Sequence, residues 1–223
     1  MSYEDLFASV EKGDLDSVTR ILSSDPLAIE ARTPEGLSPI MVAAYWGQDE
    51  VLDRLVAGSG ALDFWEAATV GATDRIRQLV GNDPDLAKAR STDGFTALHL
   101  AVFFGHPETA RTLIDAGADV SARTRNAFDN QPLHAATASS KAESRLASVR
   151  VLLEAGAPVN ERQAGGFTPL MAAAQNGDDL IVDLLLGEGA DASLEDDEGL
   201  SAAAHATKAG HPDIAVKVQG SKG

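Results

Sequence analysis

The chain has 223 residues, 18 Lys+Arg against 34 Asp+Glu for a net charge of −16, and 44% hydrophobic residues. This composition excludes a disordered tail, and its singly scattered basic residues oppose binding to nucleic-acid backbones or anionic lipid. Cysteine is absent, which removes disulfides, cysteine-ligated zinc, thiolate nucleophiles and iron–sulfur ligation.

In chain order, the start from Met1 to Asp5 has no basic segment leading into an apolar run, and the apolar stretch Leu180 to Leu186 is broken by Asp183. Neither a signal peptide nor a membrane span is read, and a cytoplasmic location is expected. The chain then repeats itself. A shift of 58 residues lays the first quarter on the second without a gap, matching Asp5 with Asp63, Gly13 with Gly71, Asp25-Pro26 with Asp83-Pro84, Gly36 with Gly94, Gly47 with Gly105 and Leu55 with Leu113. Inside that pair is a shorter unit, marked by a glycine between two helical patterns at Gly13, Gly47, Gly71, Gly105, Gly177 and Gly210, with Ser140 in the same place. Units are expected at about 1–32, 33–62, 63–90, 91–123, 124–162, 163–195 and 196–216, in one domain over 1–216 with a flexible tail at 217–223.

Each helical pattern spans about 8 to 10 residues, too short to persist alone in water, so the units must stack. Pro107 and Pro212 suit the first turn of a helix, and Gly117, Gly156 and Gly189 fall just past a helix end. Ser140 to Leu152 is about four residues longer than the matching Gly105 to Leu113, which predicts a longer segment between the two helices of the fifth unit.

The segments Asp93 to Ala101, Gln131 to Ala136 and Gly166 to Ala173, with the trailing runs Leu113 to Ala118, Leu152 to Ala157 and Leu185 to Ala190, resemble the ankyrin repeat. The resemblance covers residues 1 to 213 and implies an all-α solenoid of about seven helix-turn-helix units with short β-hairpin fingers. It also implies that the Thr and His of Thr-Pro-Leu-His tie each turn. Thr96 to His99 has Ala97 in place of Pro, Gln131 to His134 lacks the Thr, and Thr168 to Met171 lacks the His, so looser turns are expected. From Ala57 to Leu62 the chain passes almost directly into the next helix, so the finger between units two and three is missing. The links Asp25 to Arg32 and Asp83 to Arg90 look similar to those of bacterial stand-alone ankyrin proteins.

No catalytic constellation emerges. The five histidines are His99 and His134 in the turn motif, His106 and His211 beside proline, and His205, none with a partner at a zinc-binding spacing. No glycine run matches a phosphate loop and no serine sits in a nucleophile elbow. No enzyme activity, metal or cofactor is expected.

At 100° per residue, Leu98, Ala101 and Val102 share one helix face and Leu100, Phe103 and Phe104 the opposite one. Ile40, Ala43 and Ala44 oppose Val42, Tyr45 and Trp46 in the same way. The resemblance implies that such positions, with the finger residues, line a concave groove. These are Leu37, Tyr45 and Trp46, then Phe95, Phe103 and Phe104, Phe128 beside the fifth turn, and Phe167, Gln175 and Asn176. Aromatic anchors of this kind carry much of the energy at binding surfaces. The competing reading buries the rings as filler around the missing finger. Residues 178–198 hold nine Asp/Glu and no Lys or Arg, which reads as a solvated face or as a dock for a basic partner.

The expected function is non-enzymatic: binding an unidentified protein partner through the groove, as a monomer, without nucleic acid or membrane. The alternatives are an acidic inhibitor or nucleic-acid mimic of a basic-site protein, a small-ligand or enzymatic pocket walled by Trp46, Trp65 and Phe103, and a homodimer formed through the aromatic surface.

Overall fold

The computed structural model describes residues 3–221. Seven antiparallel helix pairs follow one another: α1 Tyr3–Glu11 with α2 Leu15–Ser24, α3 Pro39–Tyr45 with α4 Asp49–Gly58, α5 Phe64–Val70 with α6 Thr73–Asn82, and α7 Ala97–Phe103 with α8 Pro107–Asp115. They continue as α9 Pro132–Ala138 with α10 Ala142–Glu154, α11 Pro169–Asn176 with α12 Asp179–Gly187, and α13 Ala202–Lys208 with α14 Pro212–Gly220.

The first helix of each pair is short, 7 residues in α7 and 8 in α11, and owes its existence to its caps and neighbours. Side chains cap the starts: Ser38, Asp63, Thr96, Thr168 and Ser201 accept from the backbone N–H three residues on. Along the row α1 packs on α3, α3 on α5, α5 on α7, α7 on α9, α9 on α11 and α11 on α13. A helix held by a neighbour on each side and by its own partner keeps only a narrow free side, at its C-terminal end in α3 and α7. All of Ala97 to Val102 is buried, including Leu100, and so is Phe104. The assignment of Leu100 and Phe104 to an outward face is therefore corrected, because a simple two-faced helix is the wrong picture for the middle layer of a stack.

Four of the marker glycines, Gly13, Gly71, Gly105 and Gly177, have a packing reason. Gly71 takes φ +74°, and a Cβ there would stand 2.4 Å from the His106 ring of the next pair. His106 Nε2 donates to the Thr69 carbonyl at 2.9 Å, so the close approach of backbone to imidazole joins two pairs.

The fingers are tighter than β-hairpins. Among the described residues no strand forms; the links close by single backbone bonds such as Thr33 N to Leu37 O at 2.9 Å, Ser91 N to Phe95 O at 2.9 Å and Asp196 N to Leu200 O at 3.0 Å. Isolated bridges join only Arg90 with Thr96 and Glu195 with Ser201. The expected hairpins are thus reduced to turns of five to seven residues, each closed by a bond of this kind.

Between α4 and α5 there is no finger, as expected, and the neighbours close over the gap. Thr92 Oγ1, in the finger before α7, donates to the Glu35 carbonyl in the finger before α3 at 2.6 Å. Drawing the finger side together opens the other side. Elsewhere the outer helices pack in sequence, α2 on α4, α6 on α8, α8 on α10, α10 on α12 and α12 on α14, while α4 and α6 have no comparable contact. The buried core divides there into two clusters, one from Leu6 to Leu55 and one from Phe64 to Val218, to which Met41 also belongs. The start of α5 is secured by charge: Asp63 and Glu66 form a capping box, and Arg32 spans both carboxylates at 3.0 and 3.4 Å.

Two expectations are corrected. The extra residues of the fifth unit lengthen α10 to 13 residues instead of forming a projecting segment, with Arg145 buried in the added turn, paired with Asp178 and donating to the Ser139 carbonyl at 2.7 Å. The tail does not begin at 217: α14 runs to Gly220, Val218 is fully buried, and Lys217 holds Asp179 and Asp183 at 2.6 and 2.7 Å. The rest of the expected tail, 222–223, lies outside the described residues.

Candidate functional site

The frame of the site begins with the two turn histidines, of which His99 lines the pocket itself. His99 Nδ1 accepts from the Thr96 hydroxyl at 2.8 Å, while Nε2 donates to the Asn130 carbonyl of the next finger at 3.2 Å. His134 repeats this without a threonine: Nδ1 accepts from the Gln131 N–H at 3.3 Å and Nε2 donates to the Glu161 carbonyl at 2.9 Å. Burial pushes both imidazoles down to about 4, so each is neutral and serves as one acceptor and one donor. In Thr168 to Met171 the missing His is replaced by Met171, whose Sδ accepts from the Thr168 N–H at 3.4 Å. The turns expected to be loose are all tied, by different atoms.

Against this frame lies an open, apolar pocket of about 430 Å³, lined by Tyr45, Phe95, His99, Leu100, Phe103, Phe128, Asn130, Ala135, Ala138 and Gln163. Phe95 and Phe128 lie with ring centres 6.3 Å apart, and Phe95 meets His99 edge-on at 6.1 Å. Tyr45 reaches in from the far side of the fingerless unit, its hydroxyl donating to Asp93 at 3.3 Å. Burial and the Asp93 carboxylate push its phenol up, so it stays protonated. With His99 also neutral, no group in the pocket wall carries a charge at neutral pH.

Of the ten residues singled out from the sequence, the pocket gathers Tyr45, Phe95, Phe103 and Phe128. Phe104 is 7% exposed and is a core residue, set edge-on between Tyr45 at 5.2 Å and Phe103 at 5.1 Å. Trp46 is 59% exposed and stands outside the pocket wall. Leu37 is half-buried between the two core clusters. Phe167 lies further along, edge-on to His205 at 4.8 Å in a shallow hollow with Asp196. Gln175 is exposed, and the Asn176 amide donates to the Thr137 carbonyl at 2.9 Å. Leu100, Asn130, Ala135, Ala138 and Gln163 were not singled out. The register of Phe95, the closing residue of its finger, leads to Asn130 in the next finger, a polar residue that a pattern of aromatics does not mark, whereas Gln163 opens its finger in the place of Ser91.

Three cations from outside the acidic stretch pair with four of its nine carboxylates, and a histidine bonds a fifth. Asp178 pairs with Arg145, Asp179 and Asp183 with Lys217, Asp197 with Arg162, and Asp196 accepts from His205 at 2.7 Å. The hollow between α4 and α5, with Leu52, Val56, Leu62, Thr69 and Phe104, is the splayed edge of the same missing finger. Trp46, Trp65 and Phe103, expected to wall one pocket there, do not meet in either hollow. Among the described residues no cluster of His, Asp or Glu is placed to hold a metal ion, and no helix is long and apolar enough to cross a membrane.

The family model described as ankyrin repeats (3 copies) matches residues 64–163 and 141–218. The chain belongs to the ankyrin-repeat family. It is similar to a transient receptor potential cation channel subfamily A member 1 homolog of Caenorhabditis elegans, 35% identical over 67% of this chain and 12% of that protein. It is also similar to neurogenic locus notch homolog protein 2 of Homo sapiens, 32% identical over 80% of this chain and 7% of that protein. The Notch protein of Drosophila melanogaster is 31% identical over 73% of this chain and 6% of that protein. The chain thus spans 6 to 12% of the length of these relatives. Ankyrin repeats are generally protein–protein interaction modules and typically non-enzymatic.

Proposed function

We propose that the chain binds a partner protein through the finger side of the row, with a bulky uncharged side chain of the partner anchored in the pocket of Tyr45, Phe95, Phe103 and Phe128. The observation that carries this reading is the pocket itself: four aromatic rings from two fingers and two first helices converge on one opening whose ionisable groups are all neutral. Phe95, Phe103 and Phe128 belong to one packed block braced by the His99 tie, so ordering these three rings costs little on binding. A net charge of −16 argues against nucleic acid as the partner.

Affinity capture with the purified chain at low and high salt tests this, run beside Phe128→Ala. Phe128 is 59% exposed, so its truncation leaves the fold in place. A partner kept at 0.5 M salt by the unaltered chain and lost by Phe128→Ala is the expected result. A partner lost with salt and indifferent to Phe128→Ala would replace this reading with electrostatic docking.

A further inference from the structure

We propose that the aromatic pocket is not a fixed feature of the stack but is assembled by docking of the first two helix pairs onto the rest, so that ligand occupancy and docking are coupled. This rests on the pocket being the binding site. Its wall comes from both sides of the break in the core: Tyr45 ends α3 in the first block, whereas Phe95, His99, Leu100, Phe103 and Phe128 all belong to the second.

The two blocks meet over a thin junction. The first block contributes Met41, with the partly buried Leu37 and Ala44, to the second block's apolar cluster. The outer helices α4 and α6, which elsewhere would extend that contact, are splayed. In return Val70 packs against the first block's cluster and Tyr45 meets Phe104 edge-on; the remaining ties are polar: Thr92 to the Glu35 carbonyl, Tyr45 to Asp93, Arg32 to Asp63 and Glu66, and Lys141 Nζ to Asp49 at 3.5 Å. Three of these five ties join partners that are both well exposed and hold weakly, and the two of them that are ion pairs, Arg32 with Asp63 and Lys141 with Asp49, yield to salt. The linker, residues 59–62, is short and outside any helix. Two bodies that each own a core, joined by a strip of apolar contact and screened polar ties, open more readily at the joint than within either body. When they part, Tyr45 leaves the pocket, and the edge-on contact with Phe104 at 5.2 Å is lost with it. A ligand touching Tyr45 and Phe128 together binds only the docked form and draws the equilibrium toward it.

The experiment uses the full chain with Asp16→Cys in α2 and Glu108→Cys in α8, both exposed; since the sequence has no cysteine, spin labels go to those two sites alone. The probe is N-acetyl-tryptophanamide, its Kd read from pocket ring resonances and the label separation from pulsed dipolar spectroscopy. A second chain adds Thr92→Val and Lys141→Gln, which remove two surface ties. The expected result is a broader label separation in the second chain, narrowed by saturating probe, with Kd at least fivefold weaker than in the first. In the first chain, 1 M salt broadens the separation and probe reverses it, an arm that needs no altered tie. Equal Kd in both chains, or a separation that probe leaves unmoved, overturns the coupling while the pocket stands as the binding site. No probe binding to either chain removes the pocket reading and the coupling with it.

Discussion

Trp46 and Phe104 are 58 residues apart and occupy the same register position, yet one is 59% exposed and the other 7%. The difference comes from the neighbours: Phe104 is covered by Tyr45 from across the fingerless unit and by Phe103 beside it. Phe104→Ala should therefore cost about 3–5 kcal/mol of stability, whereas Trp46→Ala should stay within about 0.5 kcal/mol, both read by urea denaturation. The two turn histidines give a second residue-level expectation. Their folded values near 4 lie below the ordinary 6.5, so only the unfolded chain takes up protons as the pH falls from 6.5 toward 4. Stability is complete above that window and is lost going down through it, by roughly 2 kcal/mol per imidazole between pH 7 and pH 5. Denaturant midpoints across this range should fall with pH, and His134→Gln should reduce the slope while leaving the share of His99 and of His106, which burial also holds low.

The helices and their order could be read from glycine spacing, because a glycine at positive φ turns the chain between the two helices of a unit, and at Gly13, Gly71, Gly105 and Gly177 the next unit also leaves no room for a Cβ. Gly71→Ala should cost more than Gly117→Ala, since the His106 ring stands 2.4 Å from a Cβ at Gly71 while nothing stands near Gly117; thermal denaturation of the two variants checks this. What could not be read is where the structure departs from repetition. Ser140 in place of glycine, with four more residues, looks like a loop in sequence; Arg145 turns it into helix by pairing with Asp178 under partial burial. Nothing within the segment 139–147 announces that partner, which lies in the next unit. Arg145→Ala should cost about 2 kcal/mol, through loss of its charged hydrogen bonds to Asp178 and the Ser139 carbonyl, and shorten α10, as helical amide protection in 142–146 would report. The site was legible to the same degree. Register found the rings of Tyr45, Phe95, Phe103 and Phe128, but a one-dimensional wheel cannot tell a ring facing a groove from one, like Phe104, facing a neighbouring unit.

For the molecule as a whole, a row of repeats gains stability from each interface, so a weakened interface divides its cooperativity. Native-state hydrogen exchange should sort α1–α4 from α5–α14, with the first group opening at lower free energy. A single protection class across the whole chain would argue against the division of the core. The missing finger also changes how the molecule counts. Seven helix pairs would carry six fingers between them; five are present, at 33–37, 91–95, 124–130, 163–167 and 196–200. An extended chain laid along the fingers would pass from the second unit to the fourth in one stride, while one laid across the outer helices would meet a gap at the same place. The two sides of the same molecule are rulers with different markings, and a binding sequence spaced to fit one would be out of step on the other.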